Sequence, residues 1–97
     1  MVYGIVLAPE AVEDVRNLKP YLRSAVRDAI EQRLRHAPTK TSKNRIKRLR
    51  GFSRPQFRLR AGEVRVFYDV TETTVEILAV VAKSEAAAWL RREGKAE

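Results

Sequence analysis

Cysteine is absent from the 97 residues. That excludes disulfides and thiolate metal sites, and it fits a reducing compartment. Histidine occurs once, as His36. A single imidazole with no carboxylate or histidine cluster beside it does not make a metal site, and its place at a predicted helix end, where a cation suits the dipole, gives it a structural reading. No apolar run approaches the roughly 20 residues that span a bilayer. Met1-Val2-Tyr3-Gly4 lacks the basic region that opens a signal peptide. The expectation is a cytoplasmic protein with no membrane partner, no metal and no cofactor. The length suits one domain, 1–97, around one core.

Acidic residues are also scarce. Twenty lysines and arginines stand against 12 acids, a formal net charge of +8. Such an excess favours polyanions: nucleic acid, an anionic membrane surface or an acidic protein. The distribution is uneven. Between Lys40 and Arg65 there are ten basic residues and one acid, Glu63. A merely solvated face mixes signs, so this concentration points to a polyanion-binding role.

The rest of the chain reads as alternating short elements. Val2 to Leu7 is a β-branched and aromatic run, a strand with Tyr3, Ile5 and Leu7 on one face. Pro9 suits the first turn of a helix, with Glu10, Glu13 and Asp14 near its positive end and Val12, Val15 and Leu18 as its stripe. After Pro20 a second helix carries Leu22, Val26, Ala29, Ile30 and Leu34; His36-Ala37-Pro38 ends it. Gln56 to Arg60 alternates, as does Glu63 to Val70, and Val75 to Ala82 is apolar enough for a central strand. Ser84 is placed to cap a last helix, Glu85 to Arg92, with Ala86, Trp89 and Leu90 inward and Gly94 as its stop. Lys95 to Glu97 is expected to fray. The fold class is α+β: a small β-α-α-β-β-β-α domain whose mostly antiparallel sheet is covered on one face by a helical hairpin. Phe57, Leu59, Val64, Val66, Ile77 and Val81 are the expected sheet core, under Val12, Val15, Val26, Ile30 and Leu34.

Ala61-Gly62 is a candidate two-residue hairpin loop. In that register Arg58 stands directly opposite Arg65, on the face away from Leu59 and Val64, about 5 Å apart at Cβ. Two opposed arginines repel, so the pair makes sense around an anion, which a guanidinium grips with two parallel hydrogen bonds. The alternative is that each has its own carboxylate, from Glu63, Asp69 or Glu76. Phe67 shares that face, where it either stacks on a base or covers a helix. The run from Arg45 to Arg50 is either the start of a basic helix or a loop.

The segments Arg48-Leu49-Arg50-Gly51, Gln56-Phe57-Arg58-Leu59-Arg60 and Arg65-Val66-Phe67-Tyr68-Asp69-Val70, in this order and spacing, resemble the RelE/ParE toxin superfamily of type II toxin–antitoxin systems. The opening Leu7-Ala8-Pro9-Glu10-Ala11 and the order of elements fit as well. The resemblance implies a toxin neutralised by a cognate acidic antitoxin. In the RelE branch it implies metal-independent cleavage of mRNA on the ribosome, the 2′-hydroxyl attacking the next phosphate; in the ParE branch it implies inhibition of DNA gyrase. Carried over position by position, Arg58 and Arg65 match basic site residues, and Lys83 is placed to replace an arginine whose position falls on Ser84. Gln56 stands where another basic residue is usual, and the C-terminal tyrosine has no counterpart, Trp89 and Leu90 lying near its position. Lys43, Arg45, Lys47, Arg48, Arg50, Arg60 and Phe67 complete the expected contacts to RNA and the ribosome. A non-catalytic nucleic-acid-binding relative is the third reading.

Overall fold

The computed structural model describes all residues from Met1 to Glu97. Its elements run β1 (Gly4–Leu7), α1 (Pro9–Arg16), α2 (Pro20–Ala29), β2 (Ile46–Arg48), β3 (Phe52–Arg54), β4 (Phe57–Ala61), β5 (Val64–Val70), β6 (Thr74–Ala82), α3 (Ala86–Glu93) and β7 (Lys95–Ala96). Each helix of the N-terminal hairpin starts on its proline, whose fixed φ and missing N–H suit the first helical position. A π turn over Ile30–Leu34 extends α2, and a 3₁₀ turn over Lys83–Glu85 leads into α3. Ser84 makes no capping hydrogen bond, contrary to expectation.

Five strands form the main sheet in the order β1-β6-β5-β4-β2. All neighbours are antiparallel except β1 and β6. The alternation in β5 sends Val64, Val66 and Tyr68 to one face, where they join Leu59, Val75, Ile77 and Val80 under Val26, Ile30 and Leu34. This is the covered face. Val81 packs instead on the opposite face, beside Phe67 and Ala79. Val12 is 38% exposed, and Ala11 takes the inward place in α1. The difference at Val81 follows from a bulge in β6: Phe67 pairs with Ala79 and Tyr68 with Ile77, so Leu78 is an extra residue. At the end of β1 the ladder along β6 continues through a side chain, the Val80 N–H donating to Asp14 Oδ2 at 2.9 Å.

Three short strands depart from the expected order of elements. Ile46–Arg48 is an edge strand beside β4 rather than a helix or loop, and Lys95–Ala96 pairs with Phe52–Arg54 rather than fraying. Gly94 makes that second pairing possible. A Cβ there would lie 2.6 Å from both the Leu90 carbonyl oxygen and the Phe52 ring, so only glycine lets the chain end close over Phe52.

Candidate nucleic-acid interface

The turn between β4 and β5 sets the geometry of the basic residues. The loop residues are Gly62 and Glu63, and Ala61 pairs with Val64. Gly62 supplies positive φ, 61°, at the first loop position, while Glu63 keeps negative φ; a residue with a β-carbon is strained at the first of these positions and not at the second. The pairing therefore slides by two residues from the expected one. Arg65 stands opposite Arg60, and Arg58 stands opposite Phe67. The direct Arg58–Arg65 pair is corrected to a diagonal one. A slide of two preserves the faces, so Arg58, Arg60 and Arg65 still share the open face.

The edge strand adds a cation. Lys47 pairs with Arg58, giving the cross-sheet row Lys47, Arg58, Phe67, Ala79. In the next row the Arg60 N–H donates to the Arg45 carbonyl, and the row continues through Arg60 and Arg65 to Val81. Lys83 reaches the same corner, its backbone N–H donating to the Glu63 carbonyl at 2.8 Å. None of Lys47, Arg58, Arg60, Arg65 or Lys83 takes part in an ion pair; the five present belong to Arg16, Arg35, Arg54 (two) and Arg92. The alternative in which each arginine has its own carboxylate is thus not the one adopted here.

The individual arginines differ. Arg65 is only 6% exposed. Its Nη1 donates to the carbonyls of Gly62 at 2.7 Å and Val64 at 3.1 Å, clasping the turn. Burial lowers its pKa, the Arg60 charge adds to that, and Glu63 opposes it. Arg58 is half-buried, and its Nε is shielded from solvent with no acceptor. Burial, followed by the charges of Arg65 and Arg60, lowers its pKa too. A half-buried guanidinium with no carboxylate partner, set among like charges, is complementary to an anion. Arg60 and Lys47 are exposed.

Phe67 does not serve as a base-stacking platform. It is fully buried and stacks on Trp89, with centroids 4.8 Å apart and planes inclined by 8°. Trp89 and Leu90 of α3, with Leu49 and Phe52, close this part of the open face. Lys47 and Arg48, adjacent in sequence, separate: Arg48 lies 5.3 Å from the Phe57 ring and donates to the Gln56 carbonyl, which leaves it on the other side of the edge strand. Lys43, Arg45 and Arg50 are exposed in the flanking loops.

Sequence reasoning missed the boundary of the cationic patch. Gln56 donates its backbone N–H to Asp69 Oδ1 at 2.7 Å and accepts the Val70 N–H on Oε1 at 2.9 Å. Asp69 Oδ2 and Glu76 receive Arg54 Nη1. Gln56 therefore braces the sheet, and the two acids make this end of the open face negative. The available signal was the pair of acids at Asp69 and Glu76, which antiparallel pairing brings together.

The geometry agrees with what the chain is similar to. Residues 5–87 match the family model described as the ParE toxin of type II toxin–antitoxin system, parDE. No curated protein matches the sequence significantly. Among solved structures, the toxin–antitoxin complex RelBE2 from Mycobacterium tuberculosis matches at 27% identity and a TM-score of 0.72, over 84% of this chain and 99% of that one. A mutant of the Escherichia coli toxin RelE in the free state matches at 19% identity and a TM-score of 0.70, over 96% and 99%. The RelB–RelE antitoxin–toxin complex from Methanococcus jannaschii matches at 19% identity and a TM-score of 0.67, over 87% and 96%. By its sequence match over residues 5–87 and by its fold, the chain belongs to the RelE/ParE superfamily of type II toxin–antitoxin toxins.

Proposed function

We propose that this toxin is a cytoplasmic, ribosome-dependent mRNA endonuclease that needs no metal. The observation that carries the reading is the patch of Lys47, Arg58, Arg60 and Arg65, with no carboxylate partner and with the shielded Arg58 Nε lacking an acceptor. An RNA phosphate there supplies the missing counter-charge. In the reaction the 2′-hydroxyl forms a bond to the adjacent phosphorus and gives its proton to solvent water, while the bond to O5′ breaks and O5′ takes a proton from a lysine of the site. Arg58 and Arg60 stabilise the charge that grows on the phosphoryl oxygens. Arg65, tied to the turn, acts as a fixed positive charge behind them. Lys83, just after β6, and Lys47 are the residues of the group able to give a proton to O5′, and Lys83 is assigned that role. The exposed residues Lys43, Arg45, Arg48 and Arg50 hold ribosomal phosphates and carry most of the salt dependence.

The same basic surface suits an acidic antitoxin segment that folds on binding. The related structures solved as antitoxin complexes support such a partner. Association is expected to slow as salt rises.

A second reading is inhibition of DNA gyrase without catalysis. The match to the ParE family model favours it, as does the lack of histidine or free tyrosine beside the patch: His36 follows α2, and Tyr68 points to the covered face. Two assays run together separate them: single-turnover cleavage of ribosome-bound mRNA, and supercoiling by gyrase. Cleavage with supercoiling unaffected is the expected result. Supercoiling arrest with no cleavage above background overturns the nuclease reading.

A further inference from the structure

On the helix side of the β4–β2 edge, two clefts adjoin each other around one pair of arginines. The first, of about 220 Å³, is lined by Asp28, Gln32, Arg33, Arg45 and Arg60 among others. The second, of about 230 Å³, shares Gln32, Arg33 and Arg45 and adds Lys40. Arg33 comes from the π turn that ends α2, and Arg45 from the residue before β2. Arg33, Lys40, Arg45 and Arg60 form no ion pair. Asp28 is the single acid lining the first cleft, and the second has none. Four cations converge on two concave surfaces with one carboxylate between them.

These clefts are continuous with the open face. Arg60 lines the first cleft and also sits between Arg45 and Arg65 in the cross-sheet row. Arg45 lies beside Arg60 just before the edge strand begins, and it lines both clefts.

We propose that Arg33 and Arg45 form a second phosphate-binding site, which holds the flank of a single RNA strand as it turns from the open face around the β4–β2 edge. A nucleic-acid backbone carries a charge at every residue, which suits cations repeated around a corner, and a guanidinium fork grips phosphate at two points. Gln32, Thr41 and Ser42 in the same clefts supply neutral hydrogen-bonding groups for the sugar. The proposal rests on reading the open face as an RNA site and extends the bound strand beyond it.

The test uses 2′-O-methyl oligouridylates, which bind without being cut. The trimer is chosen to occupy the open face alone and the nonamer to extend into the clefts. Binding to the whole protein is followed by fluorescence anisotropy between about 50 and about 200 mM salt. Arg33→Ala is expected to leave trimer affinity unchanged and to flatten the nonamer's log–log salt slope by ~0.7, for the one phosphate that the variant no longer neutralises. Over that fourfold change in salt, wild type then loses about 2.6-fold more nonamer affinity than the variant. Arg33→Lys is expected to restore the slope, and thermal melting checks that both variants fold. An unchanged nonamer slope overturns the cleft proposal alone. Equal loss for trimer and nonamer overturns it too, since Arg33 then acts through the open face. A wild type that binds neither oligonucleotide overturns the RNA reading and this proposal with it. Weakened binding of an acidic nonapeptide with RNA unaffected assigns the clefts to a protein partner and likewise overturns it.

Discussion

At one end of the open face Arg54 is held between Asp69 and Glu76, and at the other Arg58, Arg60 and Arg65 share a patch without any carboxylate partner. The residue type is the same, and both groups border the open face, though Arg54 reaches it from β3 of the second sheet. The partners that register brings alongside are what differ. At the first end antiparallel pairing places Asp69 next to Glu76, so arginine closes a network that also satisfies the Gln56 backbone. At the second, pairing places arginine opposite arginine. A guanidinium thus closes a built-in network where its counter-charges are present, while where they are left out Arg65 is buried on turn carbonyls and Arg58 and Arg60 keep their charges unpaired. Single substitutions at each end separate the two roles.

The largest effect is expected from Arg58→Leu, which keeps the apolar stem and removes the charge. Single-turnover cleavage of ribosome-bound mRNA should fall by roughly 10²–10³, the scale of one preorganised donor to a transition-state oxygen. Cleavage at the wild-type rate would mean that the cationic end is no more catalytic than the braced one. At the braced end, Asp69→Ala strands the Gln56 N–H and leaves Arg54 with Glu76 alone; chemical denaturation should show a loss of about 1–3 kcal/mol. A loss confined to cleavage, with stability intact, would reverse the assignment of the two ends.

Tyr68, on the same strand as Asp69 but facing the core, provides an uncharged control. Its hydroxyl donates to the Pro38 carbonyl at 2.7 Å, and burial pushes its pKa up. The unfolded chain therefore gives up this proton first. Stability is fully present below the ordinary phenol value of about 10 and declines as pH rises above it. Tyr68→Phe should cost about 1 kcal/mol at neutral pH and remove that share of the alkaline decline, as followed by denaturation at a series of pH values. The smallest effect returns to Arg58→Leu. Relieving repulsion from Arg65 and Arg60 should raise stability by roughly 0.2–1 kcal/mol in low salt, and added phosphate should narrow the gap by binding to wild type. A variant less stable than wild type in low salt would show that Arg58 is structural after all.

Much of the fold was legible because periodicity reports which face a residue takes. The alternation in β5 and the spacing of Val26, Ile30 and Leu34 named most of the covered core. Register is a different quantity. Ala61-Gly62 and Gly62-Glu63 are both plausible two-residue loops by composition, and only the position of the positive φ decides between them. Faces survived that slide and partners did not. The strand at Ile46–Arg48 was hidden because, in three residues, one apolar side chain cannot show alternation. Lys95–Ala96 pairs through its backbone and so leaves no apolar trace. Phe67 was placed on the right face, but whether Trp89 or a base covers it depends on the docking of α3, which no local pattern reports.

The bulge at Leu78 also says where this chain can change length. Leu78 is the surplus residue on β6, and with it Ile77 faces the helices, Ala79 the open side and Val80 the helices again. Removing Leu78 leaves that alternation intact, and the pairing of β1 ends at Ile77, before the bulge. Removing Val75 or Val80 instead inverts every later residue of the strand, exchanging core for surface. In a scan of single-residue deletions along β6, position 78 is where a shortened gene should still yield a folded protein.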